Sequence, residues 1–214
     1  MATYTVEKQF PWQGPLSEQA SRVCRMFGLT LDRLTSRAPV HRCQVEIRSG
    51  DIVYLTGPSG AGKSVLLREL QRCMPAPAWV DLAGMELPSD RTVVDCFGPD
   101  TVACLRLLSR VGLSDVFSLL NRPAWLSEGQ QYRFRLAQAL NAGKPFVFAD
   151  EFCSTLDRIT AATVAFNVHR LAKHTGTTLV LASSRDDILL DLAPDVVVIK
   201  DFSGPAEVVY KSAR

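Results

Sequence analysis

The chain has 214 residues, 47% hydrophobic and 21% charged, with a formal net charge of +2. That length suffices for one large domain with a substantial core, and the mixed charge excludes a polyanion-binding composition without excluding nucleic acid itself. No run of eighteen apolar residues exists and Met1 leads into a polar segment, so neither a membrane-inserted helix nor a signal peptide is expected.

Residues 1–50 are the least regular part of the chain, broken up by Pro11, Pro15 and Pro39. A helix is expected over Ser17–Met26 and a short strand over Val45–Ile47. The apolar run Ile52–Thr56 reads as a buried strand. After an eight-residue glycine-rich loop, Val65, Leu66, Leu67 and Leu70 recur with helical spacing, giving a helix over 64–73 that ends before Pro75. Further strands are expected at Ala78–Leu82, Phe146–Ala149, Thr178–Ala182, Val196–Ile199 and Glu207–Tyr210, and further helices at 102–111, 128–141 and 158–174. Strands separated by helices favour a three-layer α/β core with a mainly parallel sheet. Helical patterns fill residues 89–141, which are expected to form a subdomain inserted in a single domain spanning 1–214.

The glycine-rich loop carries the chemistry. Gly57, Pro58, Ser59, Gly60, Ala61, Gly62, Lys63 and Ser64 match the pattern of a glycine, four residues, then Gly-Lys-Ser, lying between a strand and a helix. Glycines let the backbone curl until several N–H groups face one phosphate, and the helix start at Val65 adds partial positive charge. Lys63 is placed to reach β- and γ-phosphates, and the Ser64 hydroxyl suits Mg²⁺. The strand Phe146–Ala149 ends in Asp150 and Glu151. Beside such a loop, Asp150 would serve the Mg²⁺ shell and Glu151 would orient an attacking water.

Leu126-Ser127-Glu128-Gly129-Gln130 precedes another helical stretch. Ser127 with Gln130 reads as a capping box, and an exposed helix start also offers N–H groups to an anion, with Gly129 allowing close approach. Ser154–Asp157 fit a short turn after the acidic pair. The six cysteines, at 24, 43, 73, 96, 104 and 153, show no paired metal-ligand spacing and fit reduced thiols in a cytoplasmic protein. Cys153 reads as a small semi-buried thiol rather than a nucleophile.

In order and spacing, these motifs resemble the nucleotide-binding domain of ATP-binding-cassette (ABC) ATPases over roughly residues 40–200. Leu126–Gln130 resembles that family's LSGGQ signature, with Glu128 replacing a glycine, and Ser154–Asp157 resembles its D-loop. The resemblance implies a P-loop fold with a small antiparallel part and an inserted helical subdomain. It also implies MgATP hydrolysis in an ATP-dependent head-to-tail homodimer, where Ser127 and Gly129 of one subunit complete the other's site. Two departures stand out. The stretch Pro88–Phe97 lacks the family's loop glutamine, and the family's switch histidine falls on Arg185, or on Ser184 if the register slips by one. Arg185 is therefore a candidate γ-phosphate contact. Phe27 is nominated to stack on adenine, with Tyr4, Phe10 and Trp12 as alternatives. Ala149–Arg158 and Leu192–Val197 further resemble soluble ABC-type ATPases sometimes fused to an acetyltransferase. The expectation is a slow ATPase working on an unidentified soluble partner, protein or nucleic acid. A membrane transporter's ATPase subunit and a switch with little turnover are the rivals.

Overall fold

The computed structural model describes residues 1–10, 14–36 and 40–211; Pro11, Trp12 and Pro39 lie outside them. In chain order the elements are β1 (Ala2–Gln9), α1 (Glu18–Met26), α2 (Leu31–Ser36), β2 (Val40–Ile47), β3 (Ile52–Thr56), α3 (Lys63–Arg72), β4 (Trp79–Asp81) and α4 (Thr101–Arg110). Then follow α5 (Val116–Leu119), α6 (Glu128–Asn141), β5 (Phe146–Ala149), α7 (Arg158–Thr175), β6 (Thr178–Ala182), α8 (Leu189–Leu192), β7 (Val196–Ile199) and β8 (Glu207–Tyr210). Six strands form one sheet in the order β4-β5-β6-β3-β7-β8, parallel except for the antiparallel β7–β8 pair. β1 and β2 make a separate antiparallel ribbon.

The sheet sorts its side chains by the two-residue period of a strand. Ile52 and Tyr54 of β3, Val147 and Ala149 of β5, and Leu179 and Leu181 of β6 share one core with α6 and α7. The residues between them, Val53, Leu55, Phe148, Val180 and Ala182, share the opposite core with Leu66, Leu67 and Leu70 of α3. Burial on both faces explains why these strands read as unbroken apolar runs. The ribbon covers the far side of α3 through Val6, Cys43, Val45 and Ile47.

α7 starts where Asp157 Oδ1 accepts the Thr160 N–H at 3.0 Å and stops at Gly176, whose φ of 72° ends the helix in the left-handed region. Its buried stripe of Ala161, Val164, Ala165, Val168 and Ala172 is narrow, which lets the helix lie close to the sheet. α4 packs against both α6 and α7.

The central elements match the sequence expectation to within a residue or two. In the N-terminal region the helix expected over Ser17–Met26 is present as α1, but the strands differ. β1 was not anticipated, and β2 begins at Val40 rather than Val45, because both strands show polar side chains on their outward faces. No strong apolar alternation marks them. α2, α5 and α8 were also unanticipated, and each is six residues or fewer.

Phe134 of α6 is fully buried, with the Phe97 ring edge-on at 5.7 Å between centroids. Phe134→Ala should destabilise the fold by about 3–5 kcal/mol, read as a lower urea midpoint with an unchanged slope.

Candidate functional site

The loop between β3 and α3 is confined from two sides. Gly57 has φ 137°, and a Cβ there would stand 2.0 Å from the Lys200 carbonyl oxygen. Gly62 has φ 98°, and its Cβ would stand 2.2 Å from the His41 ring. Both positions therefore demand glycine for space as well as for backbone angle.

Within this loop Lys63 is 6% exposed. Its Nζ donates to Gly57 O at 2.8 Å, to Pro58 O at 2.9 Å and to Ser184 Oγ at 2.8 Å. All three partners are neutral oxygens, so the ammonium is solvated by the loop itself and has no countercharge among these contacts. Ser64 Oγ donates to Asp150 Oδ1 at 3.0 Å, and the same carboxylate oxygen accepts the Glu151 N–H at 3.1 Å. A hydroxyl paired with a carboxylate is a hard-oxygen donor set, the kind Mg²⁺ prefers. Residues with those two groups therefore fit a Mg²⁺ ion bound beside the loop. Pro58, Ser59, Gly60, Ala61 and Val65 occupy the loop and the first turn of α3, as the sequence placed them.

Beyond Asp150 the chain turns sharply. Glu151 has φ 51° and Cys153 has φ 59°, both in the left-handed region and neither a glycine. Each such residue costs about 1–3 kcal/mol and persists only where neighbours hold it. The holders are identifiable. Tyr132 of α6 accepts the Cys153 N–H at 2.9 Å, and the Phe152 N–H donates to Ala182 O at 2.8 Å. Arg185 Nη1 donates to Cys153 O at 3.0 Å and to Leu156 O at 2.5 Å. Burial pushes the Cys153 thiol up to about 12, so the sulfur stays protonated and is no nucleophile.

Arg185, the candidate γ-phosphate contact, grips Asp187 at 3.0 and 2.7 Å as well as the turn. Ser184, one residue earlier, is the side chain that reaches Lys63. Phe27, the residue nominated to stack on adenine, ends α1 and is 74% exposed on a helix with no buried residue. Phe10 lies nearer the site, its ring 6.0 Å from that of His41, which abuts Gly62. Phe202 approaches Gly60. Of these neighbours, sequence reasoning missed the contributions of His41, Lys200 and Phe202, because their contacts with the loop are long-range and no local motif marks them.

Ser127 and Gly129 stand at the start of α6, where Gln130 Oε1 accepts the Ser127 N–H at 3.0 Å. Gly129 neighbours Thr155 and Leu156, so the helix start adjoins the acidic turn. Among the described residues no hydrogen bond joins Ser127 or Gly129 to the phosphate loop. They form a separate surface.

No protein-family model matches the chain. By sequence it is 30% identical to the macrolide export ATP-binding/permease protein MacB of Nitrosomonas europaea, over 76% of this chain and 30% of that protein. It is 28% identical to the methionine import ATP-binding protein MetN of Brucella abortus, over 92% and 60% respectively. It is 24% identical to the phosphonates import ATP-binding protein PhnC of Hyphomonas neptunium, over 75% and 77%. The chain thus spans less than two thirds of the first two of these relatives. Among solved structures, the ATP-binding cassette MJ0796 in a dimeric post-hydrolysis state with ADP and Pi superposes with a TM-score of 0.65, at 17% identity, over 82% of this chain and 93% of that one. The structure of cbiO1 from Clostridium perfringens gives 0.58 at 16% identity, over 77% and 78%. The fold is that of an ABC ATPase. Together with the sequence similarities it supports an ABC nucleotide-binding domain, a class of domain that hydrolyses ATP.

His41 gives the loop a pH response. Burial, with Lys200 nearby, holds its imidazole below the ordinary value. Below the unfolded pKa of about 6.5 the unfolded chain binds a proton that the folded chain resists. Stability from this group is therefore complete above that pH and declines as pH falls toward the folded value. Urea midpoints at pH 7.5 and 5.5 should differ in wild type, and the difference should shrink in His41→Gln.

Proposed function

We propose that this chain binds MgATP at the loop Gly57–Ser64 and hydrolyses it slowly across a head-to-tail homodimer, driving a membrane transport partner. The observation that carries the reading is the 3.0 Å contact between Ser64 and Asp150, which joins two motifs 86 residues apart in sequence. In this reading Lys63 exchanges its loop carbonyls and Ser184 for the β- and γ-phosphates, while the loop N–H groups hold the phosphate oxygens. Ser64 and Asp150 would hold Mg²⁺, which would supply positive charge beside the phosphates. Glu151 orients water for in-line attack on the γ-phosphorus. The bond to the β,γ-bridging oxygen breaks, leaving ADP and inorganic phosphate. Ser127 and Gly129 complete the site of the other subunit.

The expected soluble partner gives way here to a membrane one. Three relatives are named for export or import, and the helical segment exposes Val102, Val116, Phe117, Leu120 and Trp125. Such apolar exposure suits a protein contact. Among the described residues no helix is long and apolar enough to cross a membrane, so the partner would supply the span. None of the relatives named above is named for an acetyltransferase fusion, and that likeness plays no part in the reading. Slow turnover follows from the absent loop glutamine and from Ser184, which lacks an imidazole.

Lys63→Ala should lower MgATP affinity at least a hundredfold by calorimetry while the circular dichroism spectrum is retained. Unchanged affinity would refute the nucleotide site. Glu151→Gln should bind ATP without turnover and double in mass by light scattering when ATP is added. A mass that stays monomeric at saturating ATP would remove the dimer from this reading.

A further inference from the structure

Arg185 has no role in the phosphate chemistry above, yet it is among the most connected side chains near the site. Its Nε and Nη2 fork onto the two Asp187 oxygens at 3.0 and 2.7 Å, which fixes the guanidinium plane. Its Nη1 then reaches two carbonyls of the acidic turn, Cys153 O and Leu156 O. Its own carbonyl accepts the buried Tyr54 hydroxyl of β3 at 2.5 Å. The preceding residue, Ser184, holds Lys63. A single dipeptide thus touches the phosphate-loop lysine on one side and the turn bearing Glu151 on the other.

We propose that Arg185 is a positioning residue that clamps the turn Glu151–Leu156 to the loop after β6, so that the placement of Glu151 is tied to the contacts of Lys63. The turn needs such a clamp. Two of its residues sit in the left-handed region, and contacts from Tyr132, Ala182 and Arg185 to its backbone help to hold it there. A lysine in place of Arg185 would carry the charge without the fork, so it could not grip Asp187 and reach both carbonyls in one plane. When Lys63 turns toward a phosphate it releases Ser184, which is one peptide bond from the clamp. The kinetic consequence rests on the ATPase reading given above. The clamp itself does not.

The test uses the full chain with Arg185→Ala, Arg185→Lys, Asp187→Ala and the exchanged pair Arg185→Asp/Asp187→Arg. Hydrogen exchange of the amides of residues 151–157 without nucleotide reads the clamp, and kcat and KM for MgATP read its effect on turnover. Arg185→Ala should speed exchange in that turn at least tenfold and lower kcat at least tenfold, with KM within twofold. The exchanged pair restores an ion pair but offers no donor to the carbonyls, so it should resemble Arg185→Ala. Asp187→Ala keeps the donors but frees the guanidinium plane, and should fall between wild type and Arg185→Ala in both exchange and kcat. Arg185→Lys should recover part of both readouts.

Unchanged exchange in Arg185→Ala would overturn the clamp. Faster exchange with unchanged kcat would overturn its tie to Glu151, as would full recovery in the exchanged pair. A wild type that exchanges as expected but does not turn over ATP would refute the ATPase reading while leaving the clamp intact. If Arg185→Ala fails to fold, Asp187→Ala and Arg185→Lys decide the matter: wild-type exchange of residues 151–157 in both would overturn the clamp.

Discussion

The phosphate loop keeps its shape because two glycines are pressed against fixed neighbours, Gly57 against the Lys200 carbonyl and Gly62 against the His41 ring. Everything that follows in the site depends on this confinement. It brings the loop carbonyls to Lys63, starts α3 immediately after the loop and leaves Ser64 facing Asp150. Neither neighbour is incidental. Lys200 is 1% exposed and spends its ammonium on the carbonyls of Asp201 and Gly204, so the β7–β8 connection that presses on Gly57 is itself tied down. His41 lies at the start of β2, with its Nδ1 buried and unpaired among the described residues.

Charged groups elsewhere near the sheet settle strand ends rather than chemistry. Asp195 accepts the Ile52 N–H at 2.8 Å and Lys173 Nζ at 2.6 Å, closing the entry to β3. At the other end Asp186 accepts the Thr56 hydroxyl at 2.8 Å. The central strand is thus anchored by a carboxylate at each end, and the loop springs from a fixed point. Buried backbone groups need such partners, because one left unpaired costs about 1–3 kcal/mol.

Much of this was legible in the sequence where the signal is local. The apolar run Ile52–Thr56, the eight residues after it and the leucines of α3 form one contiguous text, and the strand ending in Asp150 announces itself in the same way. Legibility failed where meaning is long-range. β1 is defined only by its pairing with β2, across an insert that holds α1 and α2, and half of each strand is polar. Phe27 lay in a segment that resembled an adenine-contacting stretch, but only the fold shows Phe10 beside His41. Ser184 and Arg185 differ by a single step of register just beyond β6, and sequence pattern cannot tell that Ser184 contacts Lys63 while Arg185 grips Asp187.

The Gly57–Lys200 contact also orders the history of the molecule. β3 pairs with β6 and β7, whose residues follow it by more than a hundred positions, and Lys200 N–H donates to Thr56 O at 2.9 Å. Contacts of such sequence separation form late, because the chain must close a long loop before they repay it. During synthesis the phosphate loop is made well before its second wall, which is missing until residue 200 arrives. Until then the glycines that later confine it leave it merely pliant, and a nascent chain stalled before β7 would carry the whole motif without the site.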